Sequence, residues 1–306
     1  MSVSFIYNVS KIVKKIELII KNIYRSINGI SKVLFISKFN LILPKSIGSE
    51  CIILGNGPSL NVTIENYILI LAEKPVLCVN NFALSDEFKI VMPKYYVLLD
   101  PGYFIHKERP DIKAVFVEFK NNVNWQMTLF VPYFYRKDPD ILEFKRLNSF
   151  IRVEFYNYTI FKGFDFISFF LFRKNLAMPQ FYNVLGASIY LAINIGYKKI
   201  LITGADHTWS DNIHVDSENK LYRKDKHFYD KGNDKFHSLI VDPLTGNAAK
   251  IANFFNAMYR IFDSYYILNK YATYMSAKIY NASEFSYIDA FERKKLDEIN
   301  NGTSDN

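Results

Sequence analysis

Chemistry in this sequence gathers where apolar runs break into polar residues. Ile52–Leu54 drops into Gly55-Asn56-Gly57-Pro58-Ser59. "PVLCV" ends at Asn80-Asn81, "YYVLL" at Asp100-Pro101, and Ile200–Thr203 at Gly204-Ala205-Asp206. Gly and Asn tolerate positive φ and Pro presets the following turn, so each break alone is compatible with a plain turn. Four together point to one pocket, because ligands of open α/β sheets sit beyond the carboxyl ends of the strands. Apolar β-formers running into a Gly-rich turn, as at Gly55 and Gly57, are also how many α/β proteins build a nucleotide site.

A second concentration lies at residues 207–247, which hold four of the five histidines: His207, His214, His227 and His237. An imidazole titrating near neutrality can remove a proton from a hydroxyl. Their spacing matches no compact zinc pattern, so no metal site is expected. His207, directly after Asp206, is expected to shape the pocket. Leu60 stands where a dinucleotide fingerprint has its third glycine, which argues against that class.

The elements that must position these residues read as α/β. "CIILG", "PVLCVN", "YYVLLDP", "AVFVEF" (114–119) and "MTLFVPYF" read as successive buried strands. Residues 60–73 suit a short, irregular helix, and 138–180 resist assignment. "GASIYLAINIGYKKILITGAD" reads as helix, Gly196 stop and strand, and the chain is helical again after Asn247. "AKIYNAS" closes the pattern as a last short strand. The expected fold is a Rossmann-like, mostly parallel sheet flanked by helices, with a lid region and an N-terminal basic amphipathic helix. The boundaries are 1–44 for the arm, 45–206 for the nucleotide-binding core, 207–247 for the lid, and 248–306 for C-terminal elements completing the core.

Half of the 306 residues are hydrophobic, enough for one sizeable core. The net charge of +8 is unevenly placed. Residues 1–45 carry eight Lys/Arg and one Glu, and the remainder is nearly neutral. In the arm Ile12, Val13, Ile16, Ile19, Ile20, Ile23, Tyr24 and Ile27 recur at helical spacing among lysines. No run reaches the ~20 apolar residues of a membrane span. A basic amphipathic helix suits an anionic membrane surface; packing on the protein's own body is the other reading. A neutral body offers no footprint for nucleic acid. Cys51 and Cys78 are read as core residues of a protein in a reducing compartment.

"IILGNGPSL", "VNNF", "LLDPGYF" and "GASIYLAINIGYKKILITGAD" occur in an order that resembles the bacterial CMP-sialic-acid-dependent sialyltransferases of the Campylobacter lipooligosaccharide type. They are also similar to the related DUF115 group of Maf and MptE-like proteins. The resemblance covers roughly residues 50–240. It implies donor contacts at Gly55, Asn56, Gly57 and Ser59, at Asn80 and Asn81, and at Gly186 and Ser188. Asp100 stands in the place of a family asparagine, and Asp206 closes the last motif. It implies a general base at His237, followed by Ser238 as in the family. Tyr222 and Tyr229 would steady the departing phosphate, with Trp209 where one such tyrosine is expected.

The expectation is thus a metal-independent glycosyltransferase without a cofactor. It would move a sugar from a CMP-type nucleotide-sugar donor to a glycan or lipid-linked glycan acceptor of the cell surface. Its place would be the cytoplasm, at the inner face of the plasma membrane. No Asp-x-Asp ends a strand to hold a metal for a nucleoside diphosphate. Two readings compete: an MptE-like pterin diphosphokinase using ATP and Mg²⁺ with Asp100, Asp206 and Asp216, and a non-catalytic nucleotide- or glycan-binding protein.

Overall fold

The computed structural model describes residues 3–211, 213–223, 228, 238–240 and 247–300. In chain order the helices are α1 (Val3–Ile36), α2 (Leu60–Glu73), α3 (Phe88–Val91), α4 (Gly102–Ile105), α5 (Pro110–Asn122), α6 (Pro139–Leu147), α7 (Asp165–Arg173), α8 (Val184–Ile195), α9 (Ile251–Tyr274) and α10 (Leu296–Asn300). The strands are β1 (Glu50–Leu54), β2 (Val76–Val79), β3 (Tyr95–Val97), β4 (Met127–Pro132), β5 (Ile151–Tyr156), β6 (Lys199–Thr203), β7 (Ile213–Val215), β8 (Leu221–Arg223), β9 (Ser238–Leu239), β10 (Lys278–Asn281) and β11 (Glu292–Arg293).

Eight strands form one parallel sheet in the order β11-β10-β6-β1-β2-β3-β4-β5. From β1 the chain winds outward to β5, then returns to β6 on the other side of β1. The strand order therefore reverses between β1 and β6, where a crevice opens at the carboxyl edge of such sheets. Side chains alternate between two buried faces, as the period of two requires. Cys51 and Ile53 pack with α8 and α9, whereas Ile52 and Leu54 pack with α2 and α5. Both cysteines are buried and free.

Residues 114–119, expected as a strand, lie inside α5. Pro110 begins the helix and Asp111 occupies its first turn, where its charge complements the helix dipole. Ile112, Val115 and Phe119 are buried at helical spacing while Val117 faces solvent. A strand would have put Val115, Val117 and Phe119 on one face, so the helical period overrode the β-forming composition. The unassigned stretch 138–180 supplies α6, β5 and α7. α6 is capped by Asp138, whose side chain accepts from the N–H groups of Asp140 and Ile141. Residues 60–73 do form one irregular helix, broken at Tyr67. Within 207–247, β7, β8 and β9 form a small antiparallel sheet.

The arm is one helix with two environments. Ser26, Gly29, Val33 and, just beyond it, Ser37 are buried at i, i+3/i+4 spacing. Gly29 lies against the Phe161 ring and Gly163 against Ser26; a Cβ at either glycine would collide. Ser26 Oγ accepts from Phe164 N–H at 3.2 Å, and Ser37 Oγ donates to Leu176 O at 2.7 Å. Between residues 7 and 20 every side chain is exposed. No described helix is long and apolar enough to cross a membrane.

Candidate functional site

A cleft of about 1300 Å³ opens at the carboxyl ends of β1 to β6. Its walls bring together Gly55, Asn56, Gly57, Asn80, Asn81, Asp100, Asp206 and Trp209 of the residues singled out in the sequence. Their individual roles differ from a simple ring of ligand contacts.

The two glycines serve the protein itself. Gly55 N–H donates to Thr203 O and Gly57 N–H to Gly204 O, each at 2.8 Å. A Cβ on Gly55 would fall inside the contact distance of Gly204 O, and one on Gly57 would lie 2.5 Å from Asp206 Oδ1. Gly204 takes φ +64, open to glycine without strain. The loops after β1 and β6 thus touch backbone to backbone. The space a Cβ would need at either glycine is thus filled by the neighbouring loop, while both glycines still line the cleft.

Asp206 and Ser59 complete that joint. Asp206 Oδ2 accepts from Ser59 N–H at 2.8 Å, and Oδ1 accepts from the Ser59 hydroxyl. Both residues are buried. Burial pushes the Asp206 carboxyl above its ordinary range, and the two Ser59 hydrogen bonds oppose the shift. Asp100 is turned locally, with Oδ1 accepting from Gly102 N–H at 2.7 Å.

Next to the joint stand two unpartnered acceptors. Asn56 Nδ2 donates to Val79 O at 3.2 Å, which identifies Oδ1 as the free oxygen. Among the described residues, Asn56 Oδ1 and Asn80 Oδ1 are both buried without a hydrogen-bond partner. Buried polar atoms are nearly always satisfied, so two orphans lining one cleft mark a place where a ligand's donors fit. Asn80 holds φ +50, a conformation asparagine tolerates. Asn81 is already engaged: its Oδ1 accepts from Tyr103 Oη at 2.5 Å and its Nδ2 donates to Asp111 at 3.4 Å.

Gly186 and Ser188 do not reach the cleft. Ser188 is fully buried in α8, where its hydroxyl donates to Val184 O. A Cβ on Gly186 would collide with the Phe181 ring, so glycine there allows that ring to pack. Tyr222 stacks on His214, at 5.2 Å between ring centroids, on the β7–β8 hairpin. Its neighbour Arg223 lines the cleft instead. Tyr229, His227 and His237 lie outside the described residues. Among the described residues no three His, Cys, Asp or Glu side chains converge as metal ligands.

The far end of the cleft was not visible in the sequence. Beyond β4 the chain turns through Tyr133, Phe134 and Tyr135 to Arg136, whose guanidinium lies 4.5 Å from the centre of the Tyr133 ring. Tyr135 stacks on Phe104 at 3.8 Å. Tyr158 and Tyr182 close the wall, and Ile36 at the end of α1 also lines it. The signal was present: "PYFYR" and "YNYT" follow strands as the other polar breaks do, but their aromatic character disguised them.

Fold and site together define a Rossmann-like α/β protein with a roomy ligand cleft at the strand-order reversal. Among solved structures, the chain is similar to the Maf glycosyltransferase from Magnetospirillum magneticum AMB-1, at 11% identity and a TM-score of 0.46. The match covers 88% of this chain and 38% of that one, so the chain spans well under half the length of that protein. No family model and no curated protein matches the chain.

Proposed function

We propose that this chain is a glycosyltransferase that takes a sugar from a CMP-type nucleotide-sugar donor and passes it to a glycan or lipid-linked glycan acceptor. The observation that carries the reading is the pairing of the orphaned Asn56 and Asn80 oxygens with an aromatic, arginine-bearing wall in one large cleft. Ribose hydroxyls and a base amine are donors that would satisfy the two oxygens. Aromatic faces stack on bases and sugar rings, and Arg136 offers charge to a phosphate or sugar carboxylate. The cleft has room for donor and acceptor together.

In this mechanism the sugar–phosphate bond breaks with its electron pair passing to the phosphate oxygen. The acceptor hydroxyl attacks and gives its proton to a general base, which the resemblance to the sialyltransferases implies at His237. Both Asp206 oxygens are engaged by Ser59, and Asp100 Oδ1 by Gly102 N–H, which supports a donor bound without a metal over a Mg²⁺–ATP site. The arm would rest on an anionic membrane surface. Its charge is complementary, and Val9, Ile12, Ile16, Ile19 and Ile23 present an uncovered apolar face.

The test is thermal stabilisation of the full chain by CMP, UDP, GDP and ATP, each with and without Mg²⁺. CMP alone should raise the melting temperature. Stabilisation confined to ATP with Mg²⁺ would replace this reading with a diphosphokinase.

A further inference from the structure

His207 lies just beyond β6, in the wall of the cleft, with φ +57. That left-handed conformation is uncommon outside glycine, and His, Asn and Asp adopt it more readily than most. The Nε2 edge of the ring faces two partners: Tyr265 Oη at 2.6 Å and Asn183 Nδ2 at 3.2 Å. Asn183 Nδ2 also lies 2.8 Å from Tyr265 Oη.

Counting hydrogens fixes every direction in this triangle. Asn183 caps α8, its Oδ1 accepting from Gly186 N–H at 3.0 Å. That settles the amide orientation, so Nδ2 can only donate. It donates to Tyr265 Oη. The tyrosine has one hydrogen, and among the described residues only His207 Nε2 is placed to accept it. An Nε2–H would also oppose the Asn183 amine, donor against donor. Nε2 is therefore bare, and the neutral ring carries its hydrogen on Nδ1. Nδ1 has no hydrogen-bond partner among the described residues.

The surroundings keep the ring neutral. Its centroid lies 4.2 Å from that of Trp209, with the two rings tilted by 41°, and it meets Phe262 and Tyr265 of α9. The neighbouring Asp206 carboxylate is turned away to Ser59. Burial pushes the His207 pKa down to about 3. Tyr265, its pKa raised by burial, stays a phenol.

We propose that His207 is a fixed neutral hydrogen-bond donor, through Nδ1–H, to the phosphate of the nucleotide in this cleft, with Asn183 and Tyr265 as its positioning residues. The proposal rests on the nucleotide reading given above. A preorganised donor gains strength as charge develops on the departing phosphate oxygen. The imidazole keeps its proton throughout. A ring whose Nε2 is already bonded, and which resists protonation, is unsuited to take the acceptor's proton. That separates its role from the general base.

The experiment is NMR of the full chain labelled with ¹⁵N-histidine, at neutral pH. One histidine should carry its hydrogen on Nδ1 and disappear in His207→Asn. Adding CMP should shift that Nδ1 signal. His207→Ala should weaken CMP binding by about tenfold or more, the scale of one hydrogen bond to a charged group. His207→Asn should restore binding to within a few-fold, since Asn accepts the backbone conformation and supplies an N–H close to Nδ1. Tyr265→Phe should leave the circular dichroism unchanged yet move the hydrogen to a mixture of the two nitrogens. An Nε2–H form or an imidazolium in the native chain overturns the proposal. So does CMP bound with the Nδ1 signal unmoved. If CMP does not bind, UDP and GDP are tried in turn. Failure of all three removes the nucleotide reading and the phosphate contact with it, and the tautomer measurement still decides how the ring is held.

Discussion

The two ends of the cleft are built in opposite ways. At the β1–β6 end, Gly55, Gly57 and Gly204 let two loops meet backbone to backbone, and Ser59 and Asp206 tie them with buried hydrogen bonds. At the β4–β5 end, Tyr133, Phe134 and Arg136 stand at the rim, and Phe134 is 80% exposed. The first end is a joint that sets where the strands stop. The second is an aromatic surface left open to the cleft. Glycines in a strand-end turn look like ligand-binding residues, yet here they are what the protein needs to close on itself. Beside the joint, Asn56 Oδ1 and Asn80 Oδ1 are left without a partner among the described residues, and His207 lines the same cleft.

The sharpest test of this contrast is Gly55→Ala. Its Cβ meets backbone that cannot swing aside, so unfolding free energy should fall by about 3 kcal/mol. Phe134→Ala at the other end should change it by less than about 0.5 kcal/mol. Urea unfolding of both variants measures this, and similar losses would erase the distinction. Ser59→Ala comes next. It removes one of two donors to a buried carboxylate and should cost about 1–3 kcal/mol. A negligible loss would mean that Asp206 is satisfied from elsewhere.

Arg136→Ala should leave the urea midpoint unchanged and weaken nucleotide-sugar binding about tenfold, as calorimetry would show. A loss of stability instead would make the rim part of the joint.

A fourth prediction concerns pH. The folded-state pKa of His207 lies below its ordinary value of 6.5, so the unfolded chain binds more protons between about 3 and 6.5. Stability should therefore fall as pH drops through that window. The raised carboxyl of Asp206 acts in the opposite sense, with stability lost as pH rises through its own window. Comparing wild type with His207→Asn isolates the histidine: the variant should lose the acid-side decline, and identical melting curves from pH 5 to 7 would refute the assignment.

The last prediction concerns the arm. Removing residues 1–20, whose described side chains are all exposed, should leave the melting temperature unchanged and reduce retention on anionic vesicles. Removing residues 1–40 should destabilise the body, because Val33 and Ser37 go with it. Equal vesicle retention by the full and shortened chains would leave the exposed apolar face without a membrane role.

The sequence by itself determined the parallel sheet, the strand ends and the amphipathic arm. These follow from short-range pattern: buried parallel strands read as apolar runs, a Gly-Asn-Gly-Pro turn stops one, and an apolar stripe repeats at helical spacing. Even so, "AVFVEF" misled, since β-forming residues are weaker evidence than the spacing of the side chains that end up buried. Only the tertiary structure decided which polar residues face the cleft and which serve the protein. Ser59 and Asp206 lie 147 positions apart and meet across two strands. Asn183, His207 and Tyr265 come from an α8 cap, a strand end and the middle of α9. Partnerships at such separation leave no local pattern. They arise when neighbouring strands and helices pack, and that packing consumes some polar groups and leaves others facing the open space.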